Sequence, residues 1–208
     1  MFQKGENPFH PKKGSSTKVQ PIMALQDIQR IRDMLRGNPR DYALFVVGIN
    51  TNLRASDLLN LRIGQVWGLK AMQDFEIREQ KTKKLRRLTM NEACVEALDR
   101  LLDSMGAEHW ANPADELEKP IFKGKFSREP ISVSYLNRMV KRWCARIGLK
   151  GNFGSHTLRK TWGYHQRVTF GVELPVLTEC FNHATQKQTL TYLCIQPEEI
   201  KSVFENKL

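Results

Sequence analysis

The chain has 208 residues, enough for one domain with a proper core plus a tail, since domains commonly run to ~100–200 residues. At 40% hydrophobic and 26% charged it is too apolar for wholesale disorder, while its longest apolar run falls far short of the ~20 residues of a membrane span. A formal net charge of +11 favours a polyanionic partner, with a basic surface kept only for solubility as the competing explanation.

Residues 1–21 are rich in Lys, Gly, Pro and Ser without periodicity and read as a flexible basic arm. Its Lys4, Lys12, Lys13 and Lys18 either touch phosphates or are simply solvated. The arm lacks the apolar stretch of a signal peptide, and the scattered, unpaired cysteines lead to the expectation of a reducing, cytoplasmic setting. From Ile22 the pattern turns helical, with Leu25, Ile28, Ile31 and Leu35 on one stripe that ends near Gly37-Asn38-Pro39. A second helix is expected over about 42–49 and a third over about 55–61, with Leu58, Leu59 and Leu61 turned inward. Residues 74–78 and 85–90 read as strands flanking the basic connector Gln80-Lys81-Thr82-Lys83-Lys84, which makes a small hairpin. The remainder reads as helix over about 91–105, 132–147, 155–170, 173–182 and 185–194, with a short tail helix within 197–208. The expected fold class is mainly α with a small antiparallel β-sheet (α+β), in one domain over 22–208.

Charge is segregated along the chain. Residues 92–118 carry eight acidic side chains against the single Arg100, whereas 119–167 carry twelve Lys and Arg against the single Glu129. One side therefore faces a polyanion. Arg138, Lys141 and Arg142, one helical turn apart, fit either a grip on backbone phosphates or a merely solvated face. Cys94, Cys144, Cys180 and Cys194 are scattered without C-x-x-C pairing and read as buried free thiols. Cys180, His183 and Cys194 lack the fourth ligand and tight spacing of a zinc site, so no metal is expected. Trp67, Trp110, Trp143 and Trp162 read as packing residues.

Four segments carry phosphodiester chemistry: Asn52 to Leu59 with Arg54, Glu79-Gln80-Lys81-Thr82, Ser155-His156-Thr157-Leu158-Arg159, and Asn182-His183-Ala184 followed by Tyr192. His156 and Arg159, three apart at a helix start, share one face and can address one target. Alone, such a pair is an ordinary surface feature. Their order and spacing together resemble the tyrosine recombinase (phage integrase) family: Arg, a hairpin Lys followed by Thr, H-x-x-R, His, and Tyr nine residues after that His. Asp57 three residues after Arg54, followed by Leu-Leu, and Leu158-Arg159-Lys160-Thr161 in place of L-R-H-T extend the likeness from about 22 to 195. Phe181-Asn182-His183 departs from the usual L-G-H. The separate N-terminal DNA-clamping domain of most members has no counterpart, as in a minimal recombinase or a fragment.

The resemblance implies the catalytic-domain fold of that family, double-stranded DNA as partner, and Arg54, Lys81, His156, Arg159, His183 and Tyr192 as the catalytic set. It also implies a tetramer on DNA, a monomer free in solution, and a prokaryotic or mobile-element source. Physical chemistry agrees with these assignments. An attacked phosphodiester builds negative charge on its non-bridging oxygens, and the planar, always charged forks of Arg54 and Arg159 suit it, with His183 as a further donor. A phenol with a pKa near ~10 needs a base or a positive field, which His156 and the arginines supply. Lys81 at the hairpin tip is the expected general acid, with Lys83 and Lys84 as neighbouring substitutes and, with Lys160, as expected DNA contacts. A covalent intermediate conserves the bond energy, so no cofactor is expected; the sequence has neither a nucleotide-binding G-x-x-x-x-G-K-[ST] loop nor clustered carboxylates for two metal ions. DNA relaxation by the same chemistry, as in type IB topoisomerases, and a silent DNA-binding regulator of the same fold are the rival functions. The tail helix docks either on a neighbouring subunit or on its own domain.

Overall fold

The computed structural model describes residues 18–107, 110, 112, 114–124 and 129–195. Most of the arm and the tail helix of 197–208 lie outside these residues. In chain order come α1 (Leu25–Leu35), α2 (Pro39–Asn50), α3 (Ala55–Leu59), α4 (Ile63–Val66), β1 (Asp74–Arg78), β2 (Leu85–Thr89), α5 (Glu92–Ser104), α6 (Ala114–Leu117), α7 (Val133–Arg146), α8 (Ser155–Val168), α9 (Leu174–Phe181) and α10 (Gln186–Leu193). The two strands pair antiparallel with Asp74 opposite Thr89 and Arg78 opposite Leu85. The fold is thus mainly helical with one small sheet, as expected.

The second helix forms because Asn38 caps the backbone amide of Asp41 and Pro39 occupies the first turn, where its missing N–H costs nothing. It then runs through Ala43, Leu44, Phe45, Val46 and Val47, all buried, and so becomes the central rod. It packs on α5 along one side and α8 along another. Gly48 permits the second contact, because a Cβ there would sit 2.6 Å from Leu158 Cδ1. Phe45 meets the Trp143 ring edge-on at 5.9 Å, tying α7 to the same core. Burying a side chain of this size contributes roughly 1.5–3 kcal/mol.

A second, smaller apolar cluster consists of Leu177, Phe181 and Leu193, with Trp162, Val172, Tyr192 and Ile195 packed against it. It joins α9 and α10 to α8. Gly163 makes this contact possible, since a Cβ would lie 2.5 Å from both Leu193 Cδ2 and the Phe181 ring.

Several expectations change. Leu25 is exposed, so the α1 stripe narrows to Ile31 and Leu35 with Ile28 half-buried. The third helix stops at Leu59 and the short α4 follows, Leu61 reaching the core from the turn between them. Cys94 and Cys144 are buried, with thiol pKa values pushed up to about 12 by burial, but Cys180 is exposed and Cys194 half-buried. The Trp67 and Trp110 rings pack on each other and Trp162 packs edge-on against Phe181, which supports their reading as packing residues. Among the described residues no helix is long and apolar enough to cross a membrane.

Candidate active site

Arg54 sits just ahead of α3 in extended conformation. Two carboxylates hold it: Glu79 at 2.7 Å and Asp57, buried one turn on, at 3.8 Å. Asn52, two residues earlier, donates to the carbonyl of Cys180 and so ties this segment to the end of α9. His156 and Arg159 lie one turn apart at the start of α8. That start is fixed by Thr157 Oγ1 accepting from the Gly154 amide and by Asn137 Oδ1 accepting from the Ser155 amide. Arg159 is buried; it donates to the Phe181 carbonyl at 3.3 Å and lies 5.0 Å over the Phe181 ring.

Asn182 ends α9 in the left-handed region, φ 54° and ψ 47°. Asparagine tolerates this conformation better than most residues, so the turn that glycine usually makes survives the replacement. The turn presents His183, whose Nδ1 lies 3.1 Å from Thr189 Oγ1 and whose ring stacks on Phe181 with centroids 5.1 Å apart. Thr185 then caps α10 through the Gln188 amide, and two turns along stands Tyr192. The Tyr192 ring packs edge-on against His183 at 5.3 Å.

Arg54, Lys81, His156, Arg159, His183 and Tyr192 all line one open cavity of about 470 Å³, together with Ser56, Asn182 and Gln188. Four separate stretches of chain thus converge on a single hollow. Burial raises the Tyr192 phenol above its ordinary value, and the charges of Arg159 and Arg54 offset only part of that. Arg159 is lowered to about 10, first by burial and then by the like charges of Arg54 and Arg86. His156 is lowered by loss of water on its packed side and by Arg159 and Lys160; His183 is lowered by burial, Arg159 and Arg54. Both imidazoles therefore favour the neutral form at pH 7.

Lys83 and Lys84 are exposed at the hairpin, and Arg138, Lys141 and Arg142 are exposed along α7. Lys160 departs from its expected place on the DNA surface. It is only 5% exposed, with its ammonium 3.3 Å from Cys194 Sγ and 4.9 Å over the Tyr192 ring. His165 is buried and bonds Thr169 Oγ1 and the Ile22 carbonyl, pinning the chain's entry into the domain. Glu79 and Arg86 escaped the reading by sequence. Glu79 was visible only as a neighbour of Lys81, and nothing in the basic run 83–87 marks Arg86 as the member that turns inward.

The sequence profile of the phage integrase family matches residues 22–199. The chain belongs to the phage integrase family. It is a tyrosine-type recombinase, an enzyme that breaks and rejoins DNA strands. It is 33% identical over 191 residues to the probable integrase/recombinase YoeC of Bacillus subtilis (strain 168), covering 90% of this chain and 96% of that protein. It is 26% identical to a tyrosine recombinase of Pseudothermotoga lettingae, where the match covers 94% of this chain but 64% of the relative. Among solved structures, the integrase fold seen here overlies the XerA recombinase with a TM-score of 0.69 at 21% identity, over 89% of this chain and 65% of that one. XerH bound to a palindromic difH substrate in a post-cleavage complex gives 0.66 at 19% identity, over 93% and 55%.

Proposed function

We propose that this chain is a site-specific recombinase that cuts and rejoins double-stranded DNA through a 3′-phosphotyrosine on Tyr192. The convergence of six side chains from four distant stretches on one open, cationic hollow carries this reading. In it, Arg54 and Arg159 clamp the non-bridging oxygens of the scissile phosphate and His183 donates a further hydrogen bond. The Tyr192 oxygen attacks phosphorus while neutral His156 accepts the phenol proton. The new P–O bond to tyrosine forms as the P–O5′ bond breaks, and Lys81 gives the departing 5′ oxygen its proton. Rejoining runs the same steps backward, so neither nucleotide nor metal enters.

The raised phenol pKa is consistent with a resting site whose nucleophile stays protonated until a phosphate arrives. The reading extends to a single catalytic domain over 22–208 behind a basic arm of residues 1–21, and to a tetramer on DNA formed from free monomers. The probe is a nicked duplex whose cut end diffuses away, leaving the covalent complex trapped. Wild type is expected to become DNA-linked in EDTA without added nucleotide. Tyr192→Phe is expected to retain DNA binding and form no linked species; a linked species in that variant would assign the nucleophile elsewhere.

A further inference from the structure

The hairpin loop between β1 and β2 is exposed at Gln80, Lys81, Lys83 and Lys84, yet Glu79 at its base is only 7% exposed. A carboxylate taken that far out of water needs charged or hydrogen-bonding partners. Glu79 has them on both oxygens. Its Oε1 lies 2.7 Å from Arg54 Nη1 and 3.5 Å from Arg86 Nη1, and its Oε2 accepts from Thr82 Oγ1 at 2.6 Å. Its backbone closes the loop, donating to the Lys84 carbonyl and accepting from the Lys83 amide, each at 2.9 Å. A second carboxylate adds to the junction, since Asp57 Oδ1 accepts from the Gln80 amide at 2.8 Å. Lys81 itself has no polar partner among the described residues. Its place is therefore set by the loop around it, and the loop is set by Glu79 and Asp57.

Burial alone would raise the Glu79 carboxyl, but the Thr82 hydroxyl and the Arg54 and Arg86 charges bring it below its ordinary value. It is thus ionised at neutral pH and a lasting partner for Arg54. Its charge also relieves the crowding of Arg54, Arg86 and Arg159, the last of which it raises.

We propose that Glu79 is a positioning residue that couples Arg54 to the Lys81 hairpin, so that the phosphate clamp and the proton donor reach the scissile phosphate as one unit. This rests on the assignment of Lys81 as the acid for the leaving 5′ oxygen. One carboxylate grips the clamp with one oxygen and the residue next to the donor with the other. Loosening it displaces the lysine first, because Arg54 keeps Asp57 while the loop loses the bond that braces Thr82.

Replacing the scissile 5′ bridging oxygen by sulfur isolates the lysine's step. A thiol with a pKa of about 8.5 leaves without a proton, whereas an alkoxide needs one. The readout is the ratio of single-turnover cleavage rates on sulfur and oxygen duplexes. Lys81→Ala is expected to raise that ratio about 10²-fold over wild type, the size of a lost general acid. Glu79→Ala is expected to raise it about tenfold, a fraction of the penalty for a misplaced group, with Glu79→Gln moving it in the same direction. The glutamine variant, which keeps the shape but has a single oxygen to divide between Arg54 and Thr82, serves if the alanine variant folds poorly. A ratio unchanged from wild type in both variants, whether or not their rates fall, overturns the coupling and leaves the Lys81 assignment intact. If Lys81→Ala is itself not rescued by sulfur, the general-acid assignment falls and the coupling falls with it.

Discussion

His156 and His183 give the site a pH signature that can be read without any substrate. Both imidazoles titrate below their ordinary value in the folded chain, His156 through desolvation and the Arg159 and Lys160 charges, His183 through desolvation and the two clamp arginines. Between the unfolded value near ~6.5 and the lower folded values, the unfolded chain binds more protons, so unfolding becomes easier as pH falls through that window. The melting midpoint is expected to decline from pH 7 to pH 5.5, and to decline less in a His156→Asn, His183→Asn double variant. Equal slopes in the two proteins would show that the imidazoles are not held neutral. A bound phosphate acts oppositely, favouring the charged rings, so duplex DNA should flatten the wild-type slope. At this same scale Lys160 shows what a sequence conceals. Its position in L-R-K-T marked it as basic, but only the approach of α10 turns the ammonium inward to Cys194.

Whole elements were the most legible level, because their signals are local. The hairpin strands followed from two extended runs around a basic connector and α1 from its apolar stripe, and in the structure Asn38, Ser132 and Thr185 cap α2, α7 and α10. The short α4 and α6 were missed because four residues are too few for a periodic pattern to declare itself. The six site residues were legible through spacing, whereas Glu79 and Arg86 depend on which way a strand end faces after tertiary packing. Gly163 belongs with these hidden features. It looks like a weak point in α8, yet it is where α9 and α10 dock. Gly163→Ala should force the Phe181 ring and Leu193 back, costing about 1–3 kcal/mol as overpacking does. Because Phe181 precedes the His183 turn and Leu193 follows Tyr192, cleavage should fall by more than DNA affinity. A variant with wild-type stability and cleavage would mean that the two helices shift freely.

At the level of the whole molecule, acidic and basic side chains are carried by different elements. Glu92, Glu96, Asp99 and Asp103 lie exposed on α5, and Arg138, Lys141 and Arg142 lie exposed on α7. Binding to duplex DNA should weaken steeply with salt, because each neutralised phosphate releases counterion. Replacing Arg138, Lys141 and Arg142 together by alanine should make the log affinity against log salt line shallower by roughly 0.9 for each phosphate that is no longer neutralised. An unchanged slope would make the outer face of α7 a solvated surface and not a DNA grip.

The two apolar clusters are unequal, and the phenol rides on the lesser one. Three small helical faces around Leu177, Phe181 and Leu193 bury far fewer apolar side chains than the larger core around α2, so local opening is expected there first. The nucleophile, the His183 turn and the Phe181 contacts of Arg159 therefore all depend on the same few side chains.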